Sequence, residues 1–313
     1  MEQKQKKSKA TLFVFFDIAM LTFFSMIPLA ASATTITLTS GSSWTVPADW
    51  NSSSNTIECV GSGGNGFGIW SAGCGKGGNC DVSGDGGGGG AYAKITNLSL
   101  TPGASIPYVI GAGGSTVPTS FNVNSLVCDY GKNASRSPNG SGGSAASSTG
   151  AVKYSGGAGG SNIYYYTNAT GSFGGGGAAG PHGPGNSASP ASINTGVYGV
   201  GGSGDAGFGG AGGSPGVNGG SSVYSGGGGG GTLPNTAAAA SGGNYGGGGG
   251  DGTLYTTDNG ASGGGKGAPG VIIITYSSLV VPTATLTASP NPVAYNGRST
   301  LTWSSTGATS CTA

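Results

Sequence analysis

Charge is nearly missing from this sequence. Of its 313 residues only 11 are Lys or Arg and 10 are Asp or Glu, and the formal net charge is +1. With no basic field to meet a phosphate backbone, nucleic-acid binding is excluded. Histidine is rarer still, since His182 stands alone, and none of the five cysteines belongs to a CxxC pair. That removes the usual zinc sites. Beyond the N-terminal segment, no stretch carries apolar residues at helical spacing between caps. What replaces all of these is glycine, 72 residues of it, and all but three fall between positions 61 and 270, where one residue in three is Gly. A third is the collagen fraction, but this region has ten Pro and gathers its Gly in runs rather than a Gly-X-Y period, so a collagen triple helix is excluded.

The first nine residues include four Lys, and residues 10–30 are largely apolar, with Leu12, Phe13, Val14, Phe15 and Phe16 in succession. A basic start followed by an apolar run reads as a signal peptide over residues 1–33, with Ala31, Ser32 and Ala33 offering the small residues of a cleavage site and Thr34 the mature start. A retained membrane anchor is the alternative, because the run approaches the ~20 residues that span a bilayer. Asp17 inside it argues for cleavage, since a carboxylate at mid-membrane is costly. The expected location is extracellular or at the cell surface, free of the membrane once the signal is removed. In an oxidising compartment Cys59, Cys74, Cys80 and Cys128 are disulfide candidates, able to form two bridges in any of three connectivities. Cys74 and Cys80 are close enough in a Gly-rich loop to close on each other, but the sequence leaves the pairing open.

Short β segments frame the glycine. Residues 35–39, 56–60, 91–96, 105–110 and 271–276 alternate or carry β-branched runs, so the expected fold class is all-β with irregular, glycine-rich parts. Between them lie the runs 86–90, 174–177, 226–231 and 246–250. Such runs are either floppy linker or are packed where only Gly fits. The flanking residues favour order: Tyr224, then a run, then Thr232 and Leu233 is echoed by Tyr245, a run, then Thr253 and Leu254. A Gly run can adopt a polyproline-II-like form with three residues per turn, a rise of ~3.1 Å and every N–H and C=O pointing outward. Several could then stack side by side through N–H···O and Cα–H···O contacts.

The passage Trp44-Thr45-Val46-Pro47, the transition from Ile57-Glu58-Cys59-Val60 into Gly61-Ser62-Gly63-Gly64-Asn65-Gly66, the run 86–90 leading into Ala91-Tyr92-Ala93-Lys94, and the closing Gly267-Ala268-Pro269-Gly270 before Val271 resemble the glycine-rich domain of bacterial and phage surface proteins. The likeness covers residues 34–276. It is similar in style to the glycine-rich modules of phage tail-tip adhesins and of the anaplastic lymphoma kinase ectodomain. The resemblance implies a sandwich of packed polyglycine-II helices and a role in surface display or ligand recognition, not catalysis. The four cysteines and the long inserts between Phe121 and Tyr166 depart from it. After a linker over 277–284, residues 285–313 resemble the first strands of a bacterial immunoglobulin-like module. That resemblance makes Trp303 its core aromatic and Cys311 its first cysteine. At this length the module reads as cut short, with the partner of Cys311 in a continuation.

Motifs that would carry chemistry weaken on inspection. Residues 61–66 satisfy GxGxxG, but at this Gly density three fixed glycines arise by chance about once in 27 positions, and no helix follows to hold a pyrophosphate, so no cofactor is expected. Gly212-Gly213-Ser214-Pro215-Gly216 fits GxSxG, yet Pro215 cannot donate to an oxyanion and no acid is visibly placed to orient His182. Residues 246–251 match one calcium-repeat fragment without a tandem copy, so Asp205 and Asp251 read as solvated loop carboxylates and no metal is expected. Nothing singles out a carboxylate pair among Asp49, Glu58, Asp81, Asp85, Asp129, Asp205, Asp251 and Asp258, and a non-enzymatic protein is expected. The aromatics are the better lead. Tyr92, Tyr224 and Tyr245 flank runs and are expected to cap the glycine stack, while Tyr164, Tyr165 and Tyr166 sit among Asn, Ser and Thr as in binding loops. The expected role is a structural display domain. The alternative is an adhesin whose loops, with Phe121, Tyr130, Tyr164 to Tyr166 and Tyr198, bind a surface glycan or an outer-membrane or extracellular protein.

Overall fold

The computed structural model of the chain describes residues 33–68, 84–135, 138–161, 173–189, 199–231, 239–252, 263–278 and 283–306. It is all-β: apart from a single 3-10 turn at Asp205–Gly207, the elements of the described residues are strands. Nine of them lie in or at the border of the compact unit Thr34–Tyr276. They are β1 Ala33–Leu38, β2 Ser43–Thr45, β3 Asn55–Val60, β4 Tyr92–Thr96, β5 Ser105–Val109, β6 Thr119–Phe121, β7 Leu126–Cys128, β8 Val152–Tyr154 and β9 Val271–Ser277. One sheet runs β1-β9-β3-β4-β8 and the other β2-β5-β6-β7.

The alternation read from the sequence explains how the sheets meet. Ile57 and Cys59 on β3, Ala93 on β4, and Ile272, Ile274 and Tyr276 on β9 turn to one face, where they pack with Trp50, Ile106, Phe121, Leu126 and Cys128 in one buried cluster. Trp50 packs on Tyr276 at 5.1 Å and Trp44 on Phe121 at 6.0 Å, so the Trp44 segment closes this core. Cys59 and Cys128 are joined in a disulfide that ties β3 to β7. Phe121, expected in a binding loop, ends β6 of the hairpin β6–β7, which turns through Asn122 and Val123 at positive φ.

The opposite face of the five-stranded sheet carries Val60, Tyr92, Val271 and Ile273, covered by Ala178 and Ala179 of a glycine-rich segment. Three strands run straight on into such segments. Val60 pairs with Tyr92 in the sheet, and the same two chains continue with the N–H of Gly61, Gly64 and Phe67 donating to the carbonyls of Ala91, Gly88 and Asp85. Beyond the sheet the bonds to one neighbour therefore recur at every third residue. The segment 86–91 shows where the other bonds go. The N–H groups of Gly86 and Gly89 donate to Gly160 and Gly157, those of Gly87 and Gly90 to Gly249 and Gly246, and those of Gly88 and Ala91 to Lys132 and Asp129. Its carbonyls accept in the same rhythm from Gly140 and Gly143, from Gly176 and Ala179, and from Gly64 and Gly61. One segment is thus bonded to six neighbours. The run 226–231 repeats the rule on its donor side, reaching Tyr245 and Gly248, Gly220 and Val217, then Gly202 and Gly199.

Space, not left-handed backbone, makes Gly obligatory here. A Cβ built on Gly87, Gly88, Gly89 or Gly90 would lie 1.9–2.1 Å from a carbonyl oxygen of an adjacent segment, whereas positive φ among these segments is confined to Gly246. At these positions the stack is closed to any side chain.

The tail is a separate body. β10 Thr283–Ser289 and β11 Thr300–Thr306 form an antiparallel hairpin with Leu286 opposite Trp303. Its other face is a hydroxyl ladder, in which Thr283 meets Thr306 at 2.5 Å and Thr285 meets Ser304 at 2.7 Å. Trp303, expected as a core aromatic, is 57% exposed, because among the described residues the hairpin has no second sheet to cover it.

Candidate functional site

Chain direction sorts the stack into two ends. At the end next to the five-stranded sheet stand Tyr92, the turn after Ala179, the 3-10 turn at Asp205–Gly207, Tyr224 and Tyr245. At the far end, Phe67 bonds to Asp85, Gly86 to Gly160, Asp251 to Phe173 and Gly231 to Gly199.

The sheet end holds a network of buried and half-buried ionisable side chains. Glu58 is buried on β3 and accepts a hydrogen bond from the Tyr92 hydroxyl. Burial first, and then the Glu58 carboxylate, push the Tyr92 phenol far above its ordinary range, and the same two causes raise Tyr224. Tyr154 stacks on Tyr92 at 6.1 Å, and Tyr154, Tyr224 and Tyr245 are half-buried against Val60 and Ile273. Tyr92, Tyr224 and Tyr245 thus sit at the junction of sheet and stack.

Beside them the turns 180–184 and 204–209 interlock. The Asp205 carboxylate accepts from the backbone N–H of His182 at 2.7 Å and of Gly183 at 3.1 Å, and from the His182 ring Nδ1 at 2.6 Å. Phe208 lies on the His182 ring at 4.7 Å. The reading of Asp205 and Asp251 as solvated is overturned: they are 2% and 0% exposed. Asp205 is desolvated because it supplies the acceptor for two backbone donors of a neighbouring turn, and it is the acid that orients His182. The sequence signal was thin, since the partners are 23 residues apart and neither neighbourhood departs from its glycine-rich surroundings.

The other site residues fare unevenly. Phe121 is wholly buried between the sheets and offers no ring to a ligand, because it fills the core facing Trp44. Tyr130 is half-buried, and Lys132 Nζ lies 3.4 Å from its ring centroid while bonding Asp129 at 3.0 Å, so the ammonium already occupies that ring face. Tyr164, Tyr165, Tyr166 and Tyr198 lie outside the described residues, as do Cys74, Cys80, Cys311 and the N-terminal apolar run. The glycines of the GxGxxG pattern have spent their N–H groups inside the stack, on Ala91, Ala268, Gly88 and Gly265. Among the described residues no group of three or more His, Cys, Asp and Glu is gathered to hold a metal ion.

Comparison with the curated proteins finds no match. The model of a family described as a glycine-rich domain matches residues 34–277, a span that takes in both sheets and the whole stack. The chain therefore belongs to the glycine-rich domain family.

Proposed function

We propose that the protein is a secreted or surface-displayed, non-enzymatic scaffold whose rigidity comes from a sandwich of polyglycine-II helices. The observation that carries this reading is the third-residue rhythm of the bonds around residues 86–91, which sends donors and acceptors to six neighbours. A helix of three residues per turn distributes its polar groups in that way, whereas a strand serves two neighbours. A backbone-bonded interior needs no charged side chains, which accounts for a chain this poor in charge. The tail is read as the opening hairpin of an immunoglobulin-like module.

Amide hydrogen exchange on the full chain tests the scaffold. Residues 86–90, 174–177, 226–231 and 246–250 should be protected as strongly as β3 and β9. Exchange at the rate of an unstructured peptide in those runs would leave only a flexible spacer. Fractionation of expressing cells should recover the chain outside the cytoplasmic membrane, and retention inside would refute display.

A second reading has its own support. Phe208 is 74% exposed on a turn held by Asp205, an arrangement a plain spacer does not require. In this reading the protein is an adhesin that recognises a surface glycan or protein.

A further inference from the structure

We infer that the ring pair Phe208–His182, locked from beneath by Asp205, is a docking platform for a neutral sugar residue of a surface glycan. This deepens the adhesin reading and rests on it.

The turn is built at a cost. Asp205 and Ala206 adopt φ of 48° and 54°, two consecutive left-handed positions in residues that carry a Cβ, where it crowds the following carbonyl. Gly would relieve both, and Gly204, Gly207, Gly209 and Gly210 stand on either side. Asp205 is kept because its carboxylate grips His182 and Gly183 at three points. The fit is close: a Cβ on Gly180 would fall 2.5 Å from the Asp205 side chain, and one on Gly183 would lie 3.0 Å from Ala206 Cβ. What the grip achieves is a fixed imidazole on the surface. The His182 side chain is 56% exposed, and Phe208, at 74%, is the most exposed large hydrophobic residue among the described residues of the compact unit.

The chemistry of the pair selects a ligand class. A carboxylate only accepts, so Nδ1 carries the hydrogen of the Asp205 contact. Nε2 makes no hydrogen bond among the described residues and is left to meet a hydroxyl, as acceptor in the neutral ring or donor in the protonated one. Phe208 lies tilted by 33° on the imidazole and offers an apolar ring face beside it. A pyranose presents both complements, a C–H face for the aromatic ring and hydroxyls at its edge. The buried Asp205 carboxylate balances any charge on the imidazole, so the pair offers no net positive charge to hold an anionic sugar, which points to neutral hexoses and N-acetylhexosamines. Because the rings are already held, little ordering entropy opposes capture.

The full chain, with its disulfide intact, is applied to an array of immobilised oligosaccharides ending in galactose, glucose, N-acetylhexosamine or sialic acid. Binding to one or more neutral termini is expected, weakened at least about tenfold in Phe208→Ala and in His182→Phe, which keeps an aromatic ring but removes Nε2. Phe208 is exposed, so hydrogen exchange of its variant should match the parent, and the loss is then not unfolding. Neutral-sugar binding that survives both substitutions, or binding to sialylated termini alone, overturns the platform and leaves the adhesin reading standing. No binding to any terminus overturns the platform and glycan recognition together.

Discussion

The unit Thr34–Tyr276 has two interiors built on opposite principles. Between the sheets, Ile57, Phe121, Leu126 and Ile274 fill space with side chains, and what holds the layers together is apolar area removed from water. In the glycine stack there is almost nothing but backbone, and the interior is held by N–H···O bonds running to neighbours on every side. The first interior is damaged by taking atoms away. The second should be damaged by adding one, since an added Cβ in the glycine runs meets backbone at about 2 Å.

The sharpest way to break the comparison is a single methyl. In Gly89→Ala the new Cβ would sit 2.0 Å from the Gly177 carbonyl oxygen, with backbone on both sides and no flexible side chain to yield. We expect a loss of at least about 3 kcal/mol, read as aggregation or as a large fall in melting temperature. Gly263→Ala, where no atom of the other described residues beyond its chain neighbours lies within 4 Å of the new Cβ, should stay within about 0.5 kcal/mol of the parent. Equal tolerance at the two sites would abolish the distinction between the interiors. In the side-chain core, Phe121→Ala opens a cavity at a wholly buried position and should cost about 4 kcal/mol in denaturant titration. A cost below about 1 kcal/mol would mean that the sheets do not depend on their filling.

The smallest effect is electrostatic and lies where the two interiors meet. Burial and Glu58 hold the Tyr92 phenol above its usual value, so the folded group stays neutral after its unfolded counterpart has begun to ionise near pH 10. Its contribution is complete below about pH 10 and declines as pH rises beyond that, by up to about 1.4 kcal/mol per pH unit. Tyr92→Phe should flatten the alkaline slope of stability by about that amount while shifting the neutral-pH value only modestly. An unchanged slope would show that Tyr92 ionises freely in the folded protein.

What the sequence revealed follows the same division. β1, β3, β4, β5 and β9 were legible because alternating or β-branched residues mark which face is buried. β2, β6, β7 and β8 were not, since three residues are too few for alternation to register. The stack was legible as a class, from runs too regular for linker, but its neighbours were not. Pairing between Gly88 and Lys132 or between Gly87 and Gly249 leaves no mark when the contact atoms are the same in every residue. The Asp205 clamp was missed because an acidic residue in a glycine-rich loop normally faces water. Only three-dimensional proximity reveals that His182 and Gly183 need its oxygens. The Cys59–Cys128 pairing likewise depends on β3 and β7 meeting across the core, a contact between residues 69 apart in sequence.

The chain enters the compact unit on β1 and leaves it on β9, and these two strands are neighbours in one sheet, with the Thr35 and Thr275 hydroxyls 3.3 Å apart. A pull on the two ends of the unit is therefore met first where those strands lie side by side. The glycine stack lies between those strands in sequence but beside the path of that pull in space, as a side branch.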